Sequence, residues 1–190
     1  MNFIYSIWAK AGGTFSVLIL IYVLLFSPCK ILSIQSAGWL NLAFLMLHQF
    51  EEYVYPGGFK DFFNNNLYKK ISIIRFKLND RSAFHVNVTL GWTIYFICAV
   101  FAGSNPVFLM IILGITFING IAHTGAAIVF RKYNPGLITG LFFFIPFTLY
   151  ITIQFIQNHI ISSGDWLLII ISAASGTFAI PLTLFIFREK

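Results

Sequence analysis

A histidine and two glutamates stand close together at residues 48–52, which read His-Gln-Phe-Glu-Glu and follow an apolar run. The whole chain has only six acidic residues among 190, so this pair of carboxylates is conspicuous. Ionisable groups within or beside a bilayer core cost roughly a few kcal/mol each, and they usually persist because they line a protein interior or a water-filled site. His48, Glu51 and Glu52 are therefore the first candidates for a functional site.

Two kinds of chemistry suit these side chains. Neutral imidazole nitrogen and carboxylate oxygen are ligands of zinc, iron and manganese. Two neighbouring carboxyl groups in a low-dielectric site cannot both ionise easily, so one can act as an acid while the other acts as a base. Both kinds need further polar groups, which other segments of the chain must supply.

The composition predicts an integral membrane protein with an all-α fold. The chain is 58% hydrophobic and only 9% charged, unlike a soluble domain. A helix that crosses the roughly 30 Å hydrocarbon core needs about 20 apolar residues. The sequence predicts a single domain, 1–190, forming a bundle of six transmembrane helices at residues 12–28, 37–55, 84–104, 106–130, 137–157 and 165–187.

The second predicted span is the least apolar. It reaches spanning length only if His48, Glu51 and Glu52 lie below the membrane surface, where a buried polar site would place them.

The basic residues predict the orientation, because lysine and arginine gather in cytoplasmic loops. With six spans and both termini inside, only Lys30 lies on the outer side. We expect the cytoplasmic membrane of a bacterium as the location, and no motif indicates a nucleic-acid partner. The basic residues on the cytoplasmic side would be Lys10, Lys60, Lys69, Lys70, Arg75, Lys77, Arg81, Arg131, Lys132, Arg188 and Lys190.

The connection at residues 57–81 is long and mixes aromatic and aliphatic side chains with six basic ones. This pattern predicts a cytoplasmic, amphipathic segment that lies at the membrane interface on anionic lipid. It would serve as an anchor or as a lid over a site that faces the lipid.

Rare polar residues on three predicted helices are expected to meet. In a helix, His48 lies three and four residues before the two glutamates, and Asn41 falls two turns earlier on the same stripe. Thr116, Asn119 and His123 form a second stripe on the fourth segment, and Asn87 begins the third. The alternating directions of the helices predict one polar cavity just inside the cytoplasmic leaflet.

Residues 48–52 also match the defining motif of a known family, and residues 53–59, Tyr-Val-Tyr-Pro-Gly-Gly-Phe, resemble its usual continuation. Asn87, Asn119, His123 and residues 133–139, Tyr-Asn-Pro-Gly-Leu-Ile-Thr, correspond to its later polar positions. The chain thus resembles the HXXEE-motif family of small membrane proteins from Leu40 onward. The family has no established activity, and its polar set only suggests enzymatic chemistry.

The first functional hypothesis is a membrane-embedded metalloenzyme that acts on a lipid-like or isoprenoid substrate. His48, Glu52 and His123 would bind one zinc, iron or manganese ion, which leaves an open coordination position. Glu51 would act as general base on an activated water molecule, and Asn87 would orient the substrate or a ligand. Further substrate contacts are expected from Asn41, Asn119 and Tyr133.

Three alternatives remain open from the sequence. The first is a metal-free isomerase or cyclase in which the carboxyl groups provide acid and base. The second is a small proton- or cation-coupled transporter, and the third is a structural cluster that joins helices through hydrogen bonds. Partners are expected to be membrane lipids and a lipid-like small molecule, and the sequence does not indicate an oligomeric state.

Overall fold

The computed structural model describes residues 3–26, 33–70 and 76–188, and within them it contains helices and no strand. The predicted all-α fold is therefore confirmed. Lys30, Arg75 and Lys190, which entered the prediction of orientation, lie outside the described residues, as does part of the predicted interfacial segment at 71–75.

Seven helical segments follow one another along these residues. Three of them, α3, α4 and α6, each include a π-helical turn, at Phe63–Leu67, His85–Trp92 and Gly140–Phe144 respectively. The segments are α1 (Ile4–Phe26), α2 (Ile34–Tyr53), α3 (59–70), α4 (Asp80–Phe101), α5 (Pro106–Phe130), α6 (Leu137–Gln157) and α7 (Ser163–Ile186).

In the described part of the chain, five helices are long and apolar enough to cross a membrane, namely α1, α4, α5, α6 and α7. This is compatible with an integral membrane protein. The remaining predicted span, at 37–55, is present as the 20-residue helix α2, but its polar residues make it less apolar than the other five. Thirteen of its residues are buried, because it packs in the centre against α1, α4 and α5.

Side-chain caps set the starts of several helices. The Ser33 side chain accepts a hydrogen bond from the Ser36 amide at the start of α2. Asn79 and Ser82 form a reciprocal capping box that begins α4 at Asp80, four residues before the predicted span at 84–104. At the start of α5, the Asn105 side chain accepts from the Val107 amide and Pro106 occupies the first turn.

Small residues allow the helices to approach α2 closely. The Ser16 hydroxyl of α1 donates to the Ala43 carbonyl of α2 at 2.8 Å. On the other side, a Cβ atom added to Gly38 would lie 3.1 Å from the Cα of Ala99 and 3.2 Å from the Cβ of Ala102, both near the end of α4. These contacts hold α2 in position at the centre.

Replacement of Gly38 by valine should therefore separate α2 from α4 and lower the free energy of unfolding by about 1 to 3 kcal/mol, as overpacked positions do. Thermal unfolding in detergent measures this effect. Gly125→Ala is the matched control, because an added Cβ there meets nothing within 4 Å. Equal melting temperatures for the two variants would contradict the close packing of α2 against α4.

Candidate functional site

His48 and Glu52 lie one turn apart on α2, and His123 of α5 faces them. The Oε1 atom of Glu52 is 3.4 Å from Nε2 of His123 and 3.7 Å from Nε2 of His48. The three side chains are buried, and each offers one potential ligand atom within 4.8 Å of the other two. The structure thus brings together the three predicted metal ligands, with the carboxylate between two imidazoles.

The ring of His123 is oriented by Asn134. Its Nδ1 atom lies 2.6 Å from Oδ1 of Asn134, and the Nδ2 atom of Asn134 donates to the His123 carbonyl at 2.9 Å. Because the amide nitrogen is used in that second bond, the amide oxygen faces the ring and accepts a hydrogen bond from the Nδ1–H group. The Nε2 atom is left to face Glu52.

The ring of His48 is oriented by Thr139 of α6. The His48 Nδ1 atom lies 2.7 Å from the Thr139 hydroxyl, and that hydroxyl donates to Glu51 Oε2 at 2.5 Å. A hydroxyl has one proton, so the Thr139 oxygen accepts from Nδ1 when it donates to Glu51. The His48 Nε2 atom is then unprotonated, which agrees with the Asn119 amide 3.4 Å away as its donor.

Glu51 faces the connection between α5 and α6, away from Glu52. Its Oε1 atom accepts from the Tyr133 hydroxyl at 2.8 Å and the Ile138 amide at 3.0 Å. Its Oε2 atom accepts from the amide and the hydroxyl of Thr139. Four donors occupy the acceptor positions of the Glu51 carboxylate. Adjacent residues of a helix point about 100° apart, so Glu51 and Glu52 face different neighbours. These contacts favour a positioning role for Glu51 over the predicted role of general base.

Tyr133, predicted to contact substrate, is part of this arrangement. Partial burial and the neighbouring Glu51 carboxylate raise the pKa of its phenol above the usual value. The hydroxyl therefore keeps its proton and remains a donor to Glu51. Its ring is 42% exposed and is not part of the cavity lining described below.

A glycine lets the connection between α5 and α6 pass against both histidines. Gly136 has a φ of 98°, which side chains rarely tolerate. A Cβ atom there would lie 2.5 Å from Cε1 of His123 and 2.7 Å from Cε1 of His48. Any larger residue would push the loop away from the imidazole pair.

A cavity of about 250 Å³ lies beside Glu52 and His123. Asn87 and Asn119 lie on its wall, so two further predicted residues reach the same space as Glu52 and His123. His48 is 1% exposed and lies behind Glu52. Most of the remaining wall is apolar and comes from α3, the connection before α4, α4, α5 and α7, at Phe59, Phe62, Phe63, Leu67, Leu78, Val86, Ala122, Ala126, Ile180 and Leu184.

The α3 segment covers this cavity. The ring of Phe59 lies 5.3 Å from that of His123, and Phe62 is buried. Asn64 holds the chain that follows, since its side chain bonds both the amide and the carbonyl of Leu78. The described part of the predicted segment, through α3 and Leu78, thus packs over the site, as a lid would, while its place at a membrane interface stays a prediction.

Asn87 belongs to a hydrogen-bonded network that continues away from the histidines. Its Oδ1 atom accepts from Gln49 at 3.1 Å, and its Nδ2 atom donates to the Tyr53 hydroxyl at 3.3 Å and to the Ala83 carbonyl at 2.8 Å. Gln49 in turn accepts from the Trp92 indole at 2.6 Å. This network holds α4 against α2 and leaves Asn87 at the cavity wall.

Asn41, which the sequence predicts to contact substrate, is not among the residues that line this cavity. Its side chain is fully buried, and its Oδ1 atom accepts from the Thr116 hydroxyl at 3.0 Å. Thr116 also lies 2.8 Å from the Tyr95 hydroxyl. The shared stripe on α2 was identified correctly, but two helical turns, about 11 Å, separate Asn41 from the histidine.

Sequence reasoning gave little weight to the residues that orient the two histidines. Asn134, Gly136 and Thr139 lie in a stretch with Pro and Gly, which indicates a turn first. The available signal was the presence of three hydrogen-bonding residues, Tyr133, Asn134 and Thr139, around that turn. The sequence also did not predict the three π-helical turns, which lie around the candidate site. Such turns often occur at functional sites.

Comparison with known proteins identifies the family of this chain. No curated protein matches the chain significantly, and no solved structure does. A family model described as a protein of unknown function with HXXEE motif matches residues 39–151, which include His48, Glu51, Glu52, Asn87, Asn119, His123 and Thr139. The chain therefore belongs to the HXXEE-motif family.

Proposed function

We propose that the protein is a membrane-embedded, metal-dependent enzyme that acts on a lipid-like or isoprenoid substrate. The observation that carries this proposal is the convergence of one nitrogen from each of two histidines and one Glu52 oxygen within 4.8 Å beside an apolar cavity. Oxygen acceptors hold the Nδ1 protons, so both Nε2 atoms carry the lone pair that a metal needs. Metal binding would replace the long contact, 3.4 Å, from the Asn119 amide to His48 Nε2. Outer partners of this kind are typical of histidines that bind metals.

The spacing of the ligand atoms fits a small divalent ion. Tetrahedral zinc with bonds of about 2.0 to 2.1 Å places neighbouring ligand atoms about 3.3 to 3.4 Å apart. The two distances from Glu52 to the histidines are 3.4 and 3.7 Å. The third separation, between the two histidine nitrogens, is at most 4.8 Å. Side-chain movements of about an ångström would bring these three donors onto one ion of zinc, iron or manganese, with one position open.

The other residues of the site have separate roles in this proposal. When bound, the metal would act as a Lewis acid on a polar group of the substrate. Asn87 and Asn119 lie at the wall where they would orient that group, and the apolar residues would hold the hydrocarbon part. Glu51, Thr139 and Asn134 would keep the histidines in position.

One feature also favours metal-free acid–base chemistry as a second candidate. The Glu52 carboxylate stands between two imidazoles, close enough to His123 for a proton to bridge them. An acid–base pair of this kind beside an apolar cavity would suit an isomerase or cyclase. Metal content separates the two candidates.

The first test is the metal content of detergent-purified protein. We expect about one zinc, iron or manganese ion per chain, and His48→Ala, His123→Ala and Glu52→Gln should each lower metal affinity by at least about tenfold, because each removes one of three ligands. Elemental analysis after dialysis against a chelator measures this.

The two remaining histidines provide matched controls. His85→Gln and His159→Asn should retain the metal, because neither residue belongs to the cluster of possible ligands, and asparagine tolerates the positive φ of position 159. Parent protein that takes up no metal even after incubation with all three ions would overturn the metal proposal.

A second test concerns the link from Glu51 through Thr139 to His48. Thr139→Val removes the acceptor of the His48 Nδ1 proton and one donor to Glu51, so metal affinity should fall by about ten- to a hundredfold. Thr139→Ser keeps the hydroxyl and should remain close to the parent. Metal titration of both variants measures the difference, and equal affinities would show that Thr139 does not position His48.

The proposed arrangement in the membrane has six spans, with α2 as the sixth and both termini inside. It rests on the basic residues and would place the protein in the cytoplasmic membrane of a bacterium. Reporter fusions at Lys30, Lys70, Ser104, Lys132, Gly164 and Lys190 should alternate between outside and inside in that order. A cytoplasmic signal at Ser104 would contradict this topology.

A further inference from the structure

A second cavity, of about 430 Å³, lies beside the first one and differs from it in charge. Leu78 lines both cavities, so the two adjoin at this residue. Three cationic side chains, Lys60, Lys77 and Arg188, line the second cavity with one carboxylate, Asp80. We call it the basic pocket.

One of the three cations is neutralised and two are not. Lys60 forms an ion pair with Asp80 at 2.6 Å. Among the described residues, no carboxylate pairs with Lys77 or Arg188. Lys77 lies over the Tyr68 ring, and Arg188 lies over the Phe76 and Phe185 rings and donates to the Phe185 carbonyl at 3.5 Å. The Arg188 guanidinium lies 4.0 Å from the centre of the Phe185 ring. The basic pocket therefore has an excess of about two positive charges.

The chain is folded so that these cations meet. The Asn64 side chain fixes both backbone groups of Leu78, which places Lys77 beside α3. The Asn79 side chain donates to the Phe187 carbonyl at 3.2 Å, which brings the end of α7 and Arg188 to the same place. Two side-chain-to-backbone contacts thus join α3, the start of α4 and the end of α7 around the pocket.

We infer that the basic pocket binds the phosphate of a single-chain anionic amphiphile whose hydrocarbon chain lies in the neighbouring apolar cavity. This inference rests on the proposed function and names the substrate class of that site. Arginine and lysine are the usual partners of phosphate, by paired donors and by point charge respectively. The apolar walls of the adjoining cavity are suited to the chain, and the buried histidine and glutamate cluster would meet a group within it.

Dodecyl phosphate and dodecanol, added to the full chain in a neutral detergent, test the inference. We expect the parent to bind dodecyl phosphate at least about tenfold more tightly than dodecanol, since charge-assisted hydrogen bonds to phosphate are strong. Lys77→Gln combined with Arg188→Gln should abolish this preference. Lys10→Gln combined with Lys69→Gln removes the same charge from exposed positions elsewhere and should preserve it.

Two further arms identify the source of the phosphate. Inorganic phosphate should compete only weakly with dodecyl phosphate, because it has no chain to bury. Ala126→Leu fills the apolar cavity and should weaken dodecyl phosphate binding while leaving the binding of inorganic phosphate unchanged. Inorganic phosphate that binds as tightly as dodecyl phosphate would overturn the assignment to an amphiphile, as would equal loss of preference in the two double variants.

Metal content, measured on the same samples, separates this inference from the proposed function. Selective binding of dodecyl phosphate by a protein without metal would support the basic pocket and contradict the metal centre. Stoichiometric metal without any preference for dodecyl phosphate would contradict the basic pocket alone.

Discussion

The burial of two adjacent carboxylates on the central helix governs the arrangement of this site. Glu51 and Glu52 are each 5% exposed, in a bundle whose other surfaces are largely apolar. A buried charge that lacks partners is strongly destabilising, so the surrounding elements must bring donors or cations to both side chains. The need for these partners accounts for the position of His123 beside Glu52. It also accounts for the path of the connection before α6 and for the glycine at 136.

The two carboxylates are satisfied in different ways. Glu51 has four hydrogen bonds from residues of one short stretch, so it joins α2 firmly to the start of α6. Glu52 has two imidazole nitrogens and a cavity beside it. A saturated acceptor contributes mainly to stability, whereas an acceptor next to open space can take a ligand or a proton. In this chain the motif thus combines a glutamate whose oxygens are all hydrogen-bonded and a glutamate that faces the cavity.

The α3 segment lines both the apolar cavity and the basic pocket, which differ in chemistry. Phe59 and Phe62 close the apolar side, while Lys60, between them in sequence, belongs to the basic pocket. Successive residues of a helix point about 100° apart, so one short segment can line both spaces. An amphiphile has the same division between chain and head, which is why a single molecule would fit across Leu78.

The sequence alone determined the helical class, the approximate positions of the six long helices and the residues of the His48, Glu52 and His123 cluster. These features depend on hydrophobic length and on rare polar residues in an apolar chain, both of which are local properties. Helical spacing also placed His48 and Glu52 on one face correctly. It did not separate Glu51 from Glu52, because an arc of about 100° contains side chains that meet different neighbours.

Only the tertiary structure decided which partners each side chain meets. Thr139 and Asn134 orient the histidines from the connection that begins α6, far from residue 48 in sequence. Asn41 shares the stripe of His48 but bonds to Thr116 instead of reaching the cavity. The basic pocket likewise needs Asn64 and Asn79 to bring three separate segments together. Contacts between distant segments depend on how helices pack, which the pattern within one helix does not encode.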